Sequence, residues 1–208
     1  LQAVSFVTGA SASAHLEATM DRPCGSRTSL YDTKQLDVVL EGMARQAAVL
    51  LAGRSLVAVI GILRRGAPLA DQLTEKMIKR FGVLPPLRLD LSVKRYADDL
   101  TLLYPETKLT EDASHEALDL RAYTLLVVDD VLYTGHSLLK VVDYLARKGP
   151  AEIRVAVLAD RGAARLPVRA DVLGLRLDIA PPDVIECNVP PYEPEFKIEL
   201  LKLDGRPA

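Results

Sequence analysis

Two adjacent carboxylates, Asp129 and Asp130, close the apolar run Leu125-Leu126-Val127-Val128, and Thr134-Gly135-His136-Ser137 follows ahead of a helical pattern. Carboxylates at such a point are acceptors for hydroxyl groups. The hydroxyls of Thr134 and Ser137, with backbone N–H groups freed in a turn at a positive helix end, make an anion site. A sugar phosphate satisfies both halves at once. A plain solvated turn is the competing explanation, and it leaves two neighbouring acids to repel one another at the end of an apolar strand.

A site of this kind needs a scaffold that ends strands and begins helices along one edge, as parallel α/β sheets do beyond the carboxyl ends of their strands. Asp32 with Gln35 has the form of a capping box, and Leu36, Val39, Leu40, Met43, Ala47 and Leu50 recur at helical spacing. Ser55 to Ile62, with Leu56-Val57-Ala58-Val59-Ile60, is apolar on both faces, as expected of a covered strand. A second helix is expected over Ala67 to Phe81, stopped by Gly82 and Pro85-Pro86, and a strand over Leu87 to Val93. Tyr123 to Asp129 reads as the next strand, Ser137 to Lys148 as a helix closed by Gly149-Pro150, and Ile153 to Ala159 as a further strand. This alternation predicts an α/β fold: a twisted, mainly parallel sheet with helices on both faces. Short apolar runs at Val172 to Leu177 and Phe196 to Leu203 are read as edge strands or a small subdomain. Lys94 to Asp119 is polar and acidic. At roughly 25 residues it is too long for a plain connection, which marks either a moving functional segment or else a small antiparallel excursion or a disordered insert.

Composition narrows the function classes. With 208 residues, 49% of them hydrophobic, one domain with a substantial core is expected. Lys plus Arg (26) nearly balance Asp plus Glu (28), so no general positive field points to nucleic acid or an anionic membrane. Cys24 and Cys187 are too few and too far apart for a disulfide scaffold or a zinc site, which favours a reducing compartment, the cytoplasm. The apolar stretch Val49 to Leu63 is broken by Arg54 and falls short of the ~20 residues that span a bilayer. Residues 1–30 show no periodicity and no cationic stretch ahead of an apolar run, so they are expected to form a loose leader, not a secretory signal. Residues 31–208 are expected to form the single domain.

Val127 to Ser137 resembles the 5-phosphoribosyl-1-pyrophosphate (PRPP) signature of the type I phosphoribosyltransferases almost position for position. Within that family, Asp129-Asp130-Val131-Leu132-Tyr133-Thr134-Gly135 is most similar to the PyrR-type pyrimidine operon attenuators with uracil phosphoribosyltransferase activity. Three more blocks carry the resemblance: Gly61 to Ala70, Arg95 through Asp98-Asp99-Leu100, and Asp160-Arg161-Gly162 with Leu166 to Asp171. The resemblance spans about residues 31–174. It implies the type I fold with a small hood from chain-terminal segments at about 175–208, and a lid at about 94–119. It also implies that Asp129 and Asp130 accept hydrogen bonds from the ribose hydroxyls and that Tyr133, Thr134, Gly135, His136 and Ser137 cradle the 5′-phosphate. Leu63, Arg64, Arg65 and Gly66 form the pyrophosphate loop, and Val131, Leu132, Asp160, Arg161, Val168 and Arg169 shape the base pocket. Asp129, Asp130, Arg65 and Arg95 are the expected catalytic set. Mg²⁺ is expected to arrive mainly on PRPP, with Asp129 reaching it through water, and the implied assembly is a homo-oligomer.

Tyr133 stands where purine enzymes of the family carry an aspartate, which points to uracil as the base. The chain departs from its pyrimidine relatives at Leu63, where a polar or basic residue is usual, and at His136, which replaces an arginine. Ala163-Ala164-Arg165 replaces a more polar stretch, and Tyr96-Ala97 is a short insertion. Two alternatives stay open: an RNA-binding regulator that senses uridine nucleotides, and transfer to a purine or to orotate. Lys76, Lys79, Arg80 and Arg88 are interleaved with acids, which does not favour RNA.

Overall fold

The computed structural model describes residues 25–92, 108–110, 119–179 and 183–203. The chain runs β1 (Gly25–Tyr31), α1 (Thr33–Leu50), β2 (Val57–Ile62), α2 (Gly66–Phe81), β3 (Leu87–Ser92) and β4 (Lys108–Thr110). It continues through β5 (Thr124–Leu132), α3 (His136–Ala146), β6 (Glu152–Asp160), β7 (Val172–Arg176), β8 (Val184–Asn188) and β9 (Lys197–Leu203). The expected local signals act where they were read. Asp32 Oδ1 accepts from Gln35 N at 2.8 Å, and Gln35 Oε1 accepts from Asp32 N at 3.0 Å, so the capping box opens α1. Gly82 closes α2 in the left-handed region, with φ 66°.

Six strands form one sheet in the order β4-β3-β2-β5-β6-β7, parallel throughout except for β4, which runs antiparallel to β3. Both faces are covered, so its central strands read as continuous apolar runs. On one face Leu126 and Val128 pack with Leu36, Leu40, Leu69 and Leu73 of α1 and α2. On the other, Leu125 and Val127 meet Leu138, Val141 and Leu145 of α3. Each such side chain contributes about 1.5–3 kcal/mol on leaving water.

A second, antiparallel sheet has the order β1-β9-β8 and joins the α1/α2 face through Ile185, Cys187, Phe196 and Ile198. This is the hood, and it corrects the expected boundary at residue 30. Gly25–Tyr31 is not leader but a strand, paired with β9 from Gly25↔Leu203 to Tyr31↔Ile198. Its sequence hid this because GSRTSLY shows no apolar alternation. Backbone pairing and the Arg27–Glu186 ion pair at 2.7 Å hold it instead. The run at Val172 belongs to the large sheet, beside β6. The expected lid lies mostly outside the described residues, as do the rest of the leader and Arg95; Lys108–Thr110 pairs with β3 as an antiparallel excursion. No helix among the described residues is long and apolar enough to cross a membrane.

Cys187 sits in the seam between hood and core. Burial pushes its thiol well above the ordinary thiol range, the charge of Asp130 adds to this, and Arg65 opposes it. The unfolded chain releases this proton near pH 8.5 while the native chain keeps it, so stability falls as pH rises past about 8.5. Denaturant titrations of the wild type and Cys187→Ala at pH 7 and pH 9.5 should show the wild type losing part of its advantage over the variant at the higher pH. An advantage that does not shrink would contradict the burial of this thiol.

Candidate active site

β5 outruns its neighbour. Its pairing with β2 ends at Gly61↔Val128, while pairing with β6 continues to Leu132↔Asp160. The strand expected to stop at Asp129 therefore carries both acids within it, past the end of its pairing with β2. The alternation that sends Leu126 and Val128 to the α1/α2 face and Leu125 and Val127 to the α3 face breaks at the acids, since Val131 lies with the α1/α2 cluster and Leu132 with the α3 cluster. Both acids are buried, at 8% and 7% exposure. Asp129 Oδ1 accepts from Asp130 N and Asp130 Oδ1 from Val131 N, each at 3.0 Å, so backbone donors fix the two carboxylates.

Two helix starts flank the acids. α2 begins at Gly66, directly against β5: a Cβ on Gly66 would lie 2.5 Å from the Val128 carbonyl oxygen and 3.2 Å from Asp129 Cα. Only glycine allows that approach. At the other side Gly135, with φ 87°, turns the chain from β5 into α3. Neither helix has a side-chain cap. First-turn N–H groups at both ends are thus left for other acceptors, on a positive helix end. Tyr133 to Ser137 form the expected turn into α3. His136 Nδ1 lies 3.0 Å from Thr134 Oγ1, and Arg165 N donates to Thr134 O at 3.1 Å. His136 and Ser137 are exposed.

The loop Leu63-Arg64-Arg65 between β2 and α2 contains a cis peptide at Leu63-Arg64. Its two arginines meet the hood. Arg65 Nε and Nη2 donate to Glu193 Oε1 at 3.0 and 2.6 Å, while Val189 N donates to Glu193 Oε2 at 2.8 Å. The Arg64 guanidinium lies 5.2 Å from the centre of the Tyr192 ring. Burial works to lower the Arg65 pKa, but the Glu193 hydrogen bond and the charges of Asp130 and Glu193 outweigh it and raise it. Sequence reading passed over Tyr192 and Glu193. Their signal was an unassigned Pro190-Pro191-Tyr192-Glu193-Pro194 segment, and their partners lie more than a hundred positions away.

The expected base-pocket residues divide. Arg161 is buried, stands 4.1 Å over the Tyr133 ring and donates to Asp183 O at 2.6 Å; its backbone N donates to Leu132 O at 3.0 Å. These contacts make it a support for the turn. Asp160 Oδ1 is occupied by Gly162 N at 2.8 Å. The Val168 side chain would lie 3.7 Å from a Cβ on Gly135, so this block packs over the turn into α3. Leu132 is buried on the α3 side, Val131 is half-buried against the α1/α2 side, and Arg169 is exposed. Among the described residues no group of three or more His, Cys, Asp or Glu side chains is placed to hold a metal.

Residues 26–195 match the phosphoribosyl transferase domain family. The bifunctional protein PyrR of Clostridium perfringens is 30% identical over 177 residues, covering 85% of this chain and 98% of the relative. That of Deinococcus deserti is 35% identical over 173 residues, covering 81% and 92%. Among solved structures, the hypoxanthine phosphoribosyltransferase of Trypanosoma cruzi in complex with the product IMP superposes with a TM-score of 0.65 at 16% identity, covering 88% of this chain and 94% of that one. A second structure of the T. cruzi protein gives 0.68 at 18% identity, over 88% and 95%. At such identities the likeness is one of fold.

The Gly66 contact is testable against a glycine without one. Gly66→Ala should lower stability by about 1–3 kcal/mol through overpacking. Gly42→Ala in α1, where a Cβ meets nothing within 4 Å, should raise it by about 0.5–1 kcal/mol. Thermal denaturation of both variants checks the pair, and equal effects would remove the argument that this contact builds the site.

Proposed function

The chain belongs to the phosphoribosyl transferase domain family, and from that premise we propose that it transfers the ribose 5-phosphate of PRPP to uracil, giving UMP and pyrophosphate. One observation carries the reading: a fixed pair of carboxylates lies between two helix starts that have no side-chain caps. PRPP has a matching plan, with a phosphate at one end, a pyrophosphate at the other and two hydroxyls between.

In this proposal the Tyr133–Ser137 turn and the start of α3 bind the 5′-phosphate, and Asp129 and Asp130 accept from the ribose hydroxyls. The loop ending at Gly66 faces the pyrophosphate. A base nitrogen attacks the anomeric carbon as the bond to pyrophosphate breaks; the nitrogen's proton leaves, and the pair of electrons departs on the pyrophosphate. Positive charge develops on the sugar ring beside two carboxylates. Negative charge builds at a helix start that carries Arg64 and Arg65, so charge stabilisation and alignment supply the rate. The reaction needs no covalent nucleophile, which leaves Cys187 outside it. Mg²⁺ fits the donor chemistry, because it takes one or two carboxylates plus substrate phosphates and retains water. It would be held mainly by the substrate's phosphates, with Asp129 reaching it through water, and when bound it would neutralise pyrophosphate charge.

Uracil is favoured because Tyr133 is capped by Arg161 where a purine enzyme would present a carboxylate. The relatives at 30–35% identity also carry the PyrR name. Lys76, Lys79 and Arg88 each pair with a carboxylate, which speaks against a free basic surface for RNA. The assembly proposed with this activity is a homo-oligomer in the cytoplasm.

The test is pyrophosphate release from PRPP and Mg²⁺ with uracil, hypoxanthine, guanine, xanthine or orotate, with nucleotide formation followed in parallel. UMP formation is expected with uracil. Asp130→Asn should lower turnover by about a hundredfold or more, and Cys187→Ala should leave it nearly intact. Exclusive use of a purine would overturn the base assignment. Binding of UMP without turnover on any base would favour a nucleotide-sensing regulator.

A further inference from the structure

The hood turn touches the pyrophosphate loop at two successive residues: Tyr192 on Arg64 and Glu193 on Arg65. The second contact is the more constrained. Glu193 is 6% exposed, and both of its oxygens are occupied, one by two N–H groups of Arg65 and one by the Val189 backbone. A buried carboxylate held from behind by backbone is a fixed point. Arginine presents its donors in a rigid fork, so engaging Nε and one Nη2 hydrogen orients the whole guanidinium. Three N–H donors then remain, on a cation that also feels the charge of Asp130.

We propose that Glu193 is a positioning residue for pyrophosphate: it holds the Arg65 guanidinium in its working orientation beside the loop before ligand arrives. The inference rests on the PRPP reading of the site. A long side chain ordered in advance has less rotamer freedom to lose on binding. The alternative arrangement makes Glu193 a competitor that must release Arg65 to the ligand. The two differ in sign. Glu193→Gln should weaken binding if the carboxylate positions Arg65 and strengthen it if the carboxylate competes.

Because the base is a separate question, the experiment uses the two ends of PRPP apart. Ribose 5-phosphate and inorganic pyrophosphate, each with magnesium chloride, are titrated by calorimetry into the full chain and into Glu193→Gln. The expected result is a three- to tenfold weaker affinity for pyrophosphate, roughly the cost of ordering one long side chain. Affinity for ribose 5-phosphate should stay within about twofold, measured at a temperature where circular dichroism shows the variant folded. Arg65→Lys keeps a counter-charge for Glu193 but lacks the fork, so it should show the same selective loss even if the hood variant folds poorly. In that background Glu193→Gln should add little, since residues acting through one contact are non-additive. Tighter or unchanged pyrophosphate binding, equal loss of both ligands in a folded variant, or no selective loss in Arg65→Lys would overturn the proposal. A wild-type chain that binds neither probe would overturn the PRPP reading itself and this inference with it.

Discussion

Everything at the site depends on one close contact, the start of α2 lying against the end of β5. Gly66 allows it, because a Cβ there would overlap the Val128 carbonyl. With that contact made, the loop after β2 cannot stand away from Asp129 and Asp130. A helix start and an acid pair become parts of one surface. Gly61 repeats the theme one turn earlier, since a Cβ there would lie 2.5 Å from Ala67 Cα. The crossing of β2, α2 and β5 is thus set by missing side chains as much as by the apolar ones around it.

The hood adds the second constraint, and it is electrostatic. Burying Glu193 would be costly for an isolated carboxylate, and Arg65 offsets the charge while Val189 N occupies the remaining oxygen. Breaking such a pair from one side leaves the other charge stranded, so the hood and the loop are tied to a common geometry. Nearby polar groups follow the same rule. Asn188 donates to Glu199 at 2.7 Å, and Lys197 pairs with the same glutamate at 3.1 Å, so these two buried groups are matched within the hood's own sheet.

Much of this was legible in the chain because the signals are local. The Asp32–Gln35 box, the Gly82 stop and the β-branched runs of β2 and β5 each act within a few residues, and the structure has them. The acid pair and the turn to Ser137 were readable for the same reason: one strand, one turn and one helix carry them. β1 was not, since its polar sequence has no face to read and its partner is at the other end of the chain. Glu193 was not either, because its meaning lies in Arg65, 128 positions away. Asp129 and Asp130 look like a repelling pair in sequence, and in the structure each accepts a backbone N–H at 3.0 Å, a partner that residue types alone do not announce.

The ladder from Gly25↔Leu203 to Tyr31↔Ile198 also has a consequence in time. Vectorial synthesis delivers the large sheet first, and the turn from β5 into α3 is already made when β7 has emerged. The hood cannot close until β9 follows, because its middle strand is the last one made. Contacts of such long sequence separation form late, after loop closure has been met by other gains. A nascent chain stopped short of β9 would carry the acid pair and both helix starts, while β1 and β8 would lack the strand that joins them. Ribosome transit therefore orders assembly from the large sheet toward the hood.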